Sequence, residues 1–147
     1  MLSNPMKEQT QPDGSSCVCT CLAMLMDEPA KDVVAKYHDR YYVHQNMDVA
    51  DILAENAFIF KRELAGTVQR LLPGAVYLLT VASLNIPGGL HQIAVDFRDA
   101  AAPRVLDPAK GYTGRKYYTF DTIEADEIPN AFVLFSWIVD YTITDRG

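Results

Sequence analysis

Helices first and strands second is the order written into this chain, and it predicts an α+β domain with N-terminal helices packed on a C-terminal antiparallel β-sheet. Three observations carry that expectation. Apolar residues sit at helical spacing up to about Asn56; after Phe58 they gather into short runs bounded by Pro, Gly and Asn; and no segment repeats at any period. With 147 residues the chain is long enough for one core, so a single domain spanning 1–147 is expected.

The elements follow in order. Gln11 to Ser16 contains Pro12, Asp13, Gly14 and two serines, which is turn chemistry, and Ser15 or Ser16 is a suitable N-cap for a helix over Cys17 to Met26. Pro29 at a first-turn position opens a second helix from Ala30 to about Tyr41, with Val33, Val34 and Tyr37 on one stripe. A third runs from Met47 to about Asn56 with Met47, Val49, Ile52 and Leu53 inward. Ala57 to Phe60 and the nearly continuous apolar run Ala75 to Ala82 read as strands. His91 to Phe97, a turn around Arg98-Asp99-Ala100, Arg104 to Leu106, Lys116 to Thr119 and Ala131 to Ile143 complete the expected antiparallel sheet.

Composition excludes several function classes. Hydrophobic residues make up 49% and charged residues 22%, as in folded globular proteins, without a low-complexity tract. A net charge of −6, with 13 scattered Lys and Arg, argues against nucleic acid or anionic lipid as a partner. The first residues lack a basic start and an apolar stretch, and no apolar run approaches the roughly 20 residues of a membrane span. No signal peptide or transmembrane segment is therefore expected, and the chain is expected to be cytoplasmic as synthesised. Cys17, Cys19 and Cys21 alternate too tightly to pair with one another, which implies free thiols and a reducing compartment.

The residues that could carry chemistry are Gln11, Cys17, His91 and Asp107. A cysteine in the first turn of a helix lies at the positive end of the helix dipole, which favours the nucleophilic thiolate. If the hairpin turn centres near Asp99, residues whose numbers sum to about 198 lie opposite each other. His91 then faces Asp107 at the rim of the apolar face made by Ile93, Val95 and Phe97. An acid so placed fixes the imidazole tautomer and stabilises its charged form. Gln11, in the loop before the helix, could offer its amide to an oxyanion alongside the Cys17 backbone N–H, a contribution of roughly 3 kcal/mol per donor.

Each group also has a plain structural reading. Buried free cysteines are usually packing residues, a reading that suits Cys19 and Cys21. Cys21 lies one turn beyond Cys17 on the same face while Cys19 points elsewhere, so a metal site built from all three is geometrically poor. Asp107 before Pro108 is also suited to capping its own turn, and His91 to a strand hydrogen bond. His38 and His44, amid Tyr37, Tyr41 and Tyr42, have no carboxylate partner that spacing identifies and read as a solvated helix end.

The segment Gln11-Pro12-Asp13-Gly14-Ser15-Ser16-Cys17-Val18-Cys19-Thr20-Cys21-Leu22-Ala23-Met24 resembles the active-site segment of the bacteriocin-processing peptidases, papain-like enzymes that cut leader peptides after a double glycine. Leu90 to Val95 is similar to that family's histidine strand, and Val105-Leu106-Asp107-Pro108-Ala109-Lys110-Gly111 to its Asp-Pro segment. The resemblance runs from about Gln11 to about Phe135. It implies a papain-like fold with Cys17 as nucleophile, His91 as base, Asp107 as orienting residue and Gln11 as oxyanion donor. Where the family usually has Asp-Cys-Gly, this chain has Ser16-Cys17-Val18, and neither a membrane nor an ATPase domain is expected with it. A free-standing relative acting on another substrate is the resulting expectation.

Together these readings predict a cysteine peptidase or related thiol amidohydrolase, of bacterial or phage type, that needs no cofactor and no metal and acts on a peptide or protein substrate. The alternative is a papain-like module whose site is unused and which binds an extended peptide or protein partner.

Overall fold

The computed structural model describes residues 1–64 and 70–147. In chain order the elements are helices α1 (Cys17–Met26), α2 (Ala30–His38) and α3 (Val49–Glu55), strands β1 (Phe58–Arg62), β2 (Val76–Ala82), β3 (Leu90–Asp96), β4 (Arg104–Leu106) and β5 (Tyr117–Thr119), helix α4 (Thr122–Glu127), and strands β6 (Ala131–Val133) and β7 (Ile138–Arg146). Helices precede an antiparallel five-stranded sheet of order β1-β7-β2-β3-β4, an α+β arrangement. No helix among the described residues is long and apolar enough to cross a membrane.

Both faces of the sheet are covered, which explains the nearly unbroken apolar run of β2. Val76 and Leu78 join Ala94, Leu106, Tyr141 and Ile143 beneath α1, α2 and α3. Ala75, Tyr77, Leu79 and Val81 turn to the other face, with Ile93, Val95, Val139 and Leu134. Helix α1 is apolar nearly all round and is buried from Cys19 to Met26, as a helix wedged between α2 and the sheet requires. Each fully buried Leu, Ile or Met contributes about 1.5–3 kcal/mol relative to exposure. That burial on several sides leaves α1 little freedom to slide.

Several local expectations need correction. Ser16 occupies the N-cap position of α1, but neither serine caps it through its side chain; Ser16 is buried and Ser15 instead bonds to Asp13. Helix α2 is followed by a π-helical turn, Asp39–Val43, with no buried residue. The strand expected over Ala131 to Ile143 is divided: β6 pairs with β5 in a separate two-stranded sheet, and in parallel rather than antiparallel fashion. Helix α4 was not expected, because its exposed Ile123 gives no buried stripe; Asp121 caps it by accepting from the Ile123 and Glu124 N–H groups.

The β3–β4 register also differs from the count. Ala94 pairs with Leu106, Val95 with Val105 and Asp96 with Arg104, so paired numbers sum to 200 rather than 198. The slip moves each partner by two residues, and a two-residue slip keeps every side chain on its face where a one-residue slip would reverse it. His91 and Asp107 are consequently diagonal neighbours on one face, still within reach of an imidazole.

Candidate active site

The ladder between β3 and β4 stops at Leu106 for a covalent reason. Continuing the observed register would set Pro108 opposite Gln92, and a proline has no N–H to donate. The chain therefore turns at Asp107, which brings its carboxylate inward. Asp107 is 1% exposed and accepts three hydrogen bonds: Oδ1 from the Ala109 N–H at 2.9 Å and from His91 Nε2 at 2.6 Å, and Oδ2 from the Tyr118 N–H at 2.8 Å. The turn-capping role and the orienting role coexist on one side chain.

Because a carboxylate only accepts, Nε2 of His91 carries a proton and Nδ1 is the ring nitrogen left for Cys17. Burial works against a charged imidazole, but hydrogen bonds to Asp107 and Cys17 and the charges of both outweigh it, raising the His91 pKa from 6.5 to about 9. Cys17, at the first position of α1, is half-buried and lines the same cavity as His91. Its burial opposes the thiolate; the hydrogen bond and charge of His91, with the backbone N–H groups of Gln92 and Val18, hold its pKa below the ordinary 9. Both shifts favour a thiolate–imidazolium pair as the resting form.

The other two thiols differ. Cys19 is fully buried and its pKa is pushed up to about 12 by burial, then by the Cys17 and Asp13 charges. Cys21, also fully buried, is raised well above 9 by burial, and its Sγ donates to the Gln92 carbonyl at 3.5 Å. Among the described residues no three His, Cys, Asp or Glu side chains are grouped to hold a metal ion.

Gln11 is drawn to the same corner by its backbone, whose N–H donates to the Pro108 carbonyl at 2.8 Å. Its side chain is buried, Nε2 donates to the Asp13 carbonyl at 2.7 Å, and Oε1 has no partner among the described residues. The bond to Asp13 identifies the nitrogen, since a carbonyl oxygen accepts only from a donor. It uses one of the two amide protons. Gln11 does not line the cavity that contains Cys17 and His91.

That cavity, of about 250 Å³, is lined by Ser15, Cys17, Val18, Tyr41, Tyr42, Thr80, Leu90, His91 and Gln92. Tyr41, Thr80 and Gln92 also line a neighbouring cavity of about 450 Å³ that extends past Asp48 to Asp140. The two cavities thus adjoin at those three side chains. His38 and His44 line neither; His38 stacks on Tyr42 with centroids 5.2 Å apart. The sequence reading missed Tyr41 and Tyr42 as cavity walls, because a π-helical turn re-aims side chains that a regular helix would place elsewhere. It missed Gln92 for another reason, since the backbone N–H that meets Cys17 leaves no trace in residue identity.

In comparisons with known proteins, no family model, no curated protein and no solved structure matches this chain.

Proposed function

We propose that this chain is a cysteine peptidase or closely related thiol amidohydrolase of papain-like topology, a free-standing relative of the bacteriocin-processing peptidases. One observation carries the reading: a helix-start thiol and an imidazole share a cavity, the imidazole is fixed from behind by a buried carboxylate at 2.6 Å, and both partners are shifted toward the ion pair.

In the proposed reaction the Cys17 thiolate adds to an amide carbonyl carbon, and the resulting oxyanion is received by the Cys17 backbone N–H and, once the Gln11 side chain turns from Asp13 toward the cavity, by its Nε2 amide. As the C–N bond breaks, His91 passes its Nδ1 proton to the leaving amine, producing a thioester. Water, deprotonated by His91, then attacks the thioester carbon; the carboxylic acid leaves and Cys17 returns to the thiolate. Asp107 keeps the ring oriented throughout and stabilises its charged form. Two cavities adjoining at Tyr41, Thr80 and Gln92 favour an extended peptide as the substrate class. An amide buried with its Oε1 unpartnered favours a second reading, a peptide-binding module with an unused site.

The test is alkylation with iodoacetamide at pH 6, read by mass spectrometry, beside peptide hydrolysis by the native chain and by Cys17→Ala. Cys17 is expected to react far ahead of Cys19 and Cys21. Equal, slow labelling of all three would reject the enzyme reading, whereas fast labelling of Cys17 with no hydrolysis or acyl transfer would favour the binding module.

A further inference from the structure

The hydrogen-bonding direction of β3 can be followed residue by residue. The Phe97 N–H donates to the Ala75 carbonyl and the Ser83 N–H to the Gly89 carbonyl, so odd-numbered positions of this segment bond toward β2 and even-numbered ones toward β4. Ala94 and Asp96 find β4 partners there. Gln92 is the next even position, and its partner in the ladder would be Pro108. That residue can give no hydrogen, and its carbonyl is taken by the Gln11 N–H. The Gln92 N–H and C=O are thus both vacated at the edge of a buried strand, where unpaired backbone groups are costly.

Helix α1 packs on β3 at this edge. Residues four apart on a helix face place their Cβ atoms about 5–6 Å apart along one side, so Cys17 and Cys21 can address the two polar groups of a single strand residue. The Cys21 thiol donates to the Gln92 carbonyl at 3.5 Å, and the Gln92 N–H is one of the groups that favour the Cys17 thiolate.

Resting on the peptidase reading, we propose that Cys21 is a positioning residue for the nucleophile: its thiol, bonded to the vacated Gln92 carbonyl, locks α1 against β3 in the one register that sets Cys17 on the Gln92 N–H and beside His91. The covalent reason is Pro108, which ends the ladder one pair early. Cys21 therefore does more than pack, and its influence reaches the reaction through the donated hydrogen. A serine keeps that hydrogen; an alanine of nearly the same volume does not.

The experiment is the pH profile of Cys17 alkylation by iodoacetamide in the native chain, Cys21→Ala and Cys21→Ser, each at a temperature where circular dichroism shows it folded. Cys21→Ala is expected to shift the profile up by about one unit, lowering the rate at pH 6 roughly tenfold, and Cys21→Ser to return it to within about twofold of native. A purely structural Cys21 would lower the melting temperature of both variants and leave the profiles superimposed, which overturns the proposal. A native profile with an ordinary thiol value would instead reject the peptidase reading itself. Should Cys21→Ala fail to fold, the S–H stretching band in the native minus Cys21→Ser infrared difference decides: a hydrogen-bonded position supports the lock, and a free-thiol position rejects it.

Discussion

The His91–Asp107 corner and the Gln11 loop flank the same thiol, Cys17, and are built in opposite ways. At the corner both oxygens of Asp107 are bonded, and the ring is held by a 2.6 Å contact. In the loop the Gln11 backbone is anchored to Pro108 but the side chain spends one proton on Asp13 and buries an oxygen with no partner among the described residues. A saturated network is rigid, and an unsatisfied polar atom is a group that gains by moving. On the proposed peptidase reading, His91 and Asp107 are thus set before substrate arrives, while the Gln11 amide has an incentive to rearrange when charge develops.

The largest effect separates the nucleophile from everything around it. Cys17→Ala should abolish turnover, a loss of roughly a millionfold as for other removed nucleophiles, in a steady-state hydrolysis assay with the fold unchanged by circular dichroism. Retained activity would remove both regions from consideration.

Next comes the rigid corner. Asp107→Ala should lower turnover by roughly a thousandfold and move the alkaline limb of the pH profile downward, because the hydrogen bond and charge of Asp107 raise the His91 pKa. It should also destabilise the fold, since two backbone donors lose their acceptor. A destabilised variant with native turnover would reduce Asp107 to a turn residue.

The loop should respond more mildly. Gln11→Ala is expected to cost roughly a hundredfold in kcat with KM nearly constant, as for a donor engaged only when the oxyanion forms. An unchanged kcat would assign the oxyanion to backbone N–H groups alone.

The pH profile sharpens the comparison without a mutation. On the peptidase reading the competent form is thiolate with imidazolium, so activity should rise as Cys17 ionises below its usual 9 and fall as His91 loses its proton near 9, about tenfold per pH unit beyond that limb. For stability the sign follows from a folded pKa above the free value of 6.5: the proton on His91 stabilises the fold fully below about pH 6.5, and that contribution is lost as pH rises to about 9. Melting curves across this range check it. Smallest of all, Cys19→Ala should change stability by about 1 kcal/mol and leave kinetics unaltered, as suits a thiol held protonated by burial.

Much of the site was legible because its signals are local. The bounds of α1, set by a Pro-Asp-Gly-Ser loop and an apolar run, were read as Cys17 to Met26 and observed so. Putting His91 and Asp107 on one face needed only the strand period of two, and it survived the two-residue register error for that reason. The parallel β5–β6 pair and α4 were not legible, since short polar elements carry no periodicity, and pairing direction is decided by what lies across space.

What the sequence by itself determined, then, is the order of helices before strands, the placing of His91 and Asp107 on one face and the proline at 108 that cannot donate to a ladder, because each depends on residue type at a fixed spacing. Only the tertiary structure decided which backbone groups that proline left open, that α1 would cover them with two thiols one turn apart, and that Gln11 would rest on Asp13 rather than in the cavity. Those outcomes depend on hydrogen-bond vacancies between segments distant in the chain, and a vacancy exists only after the strands have paired.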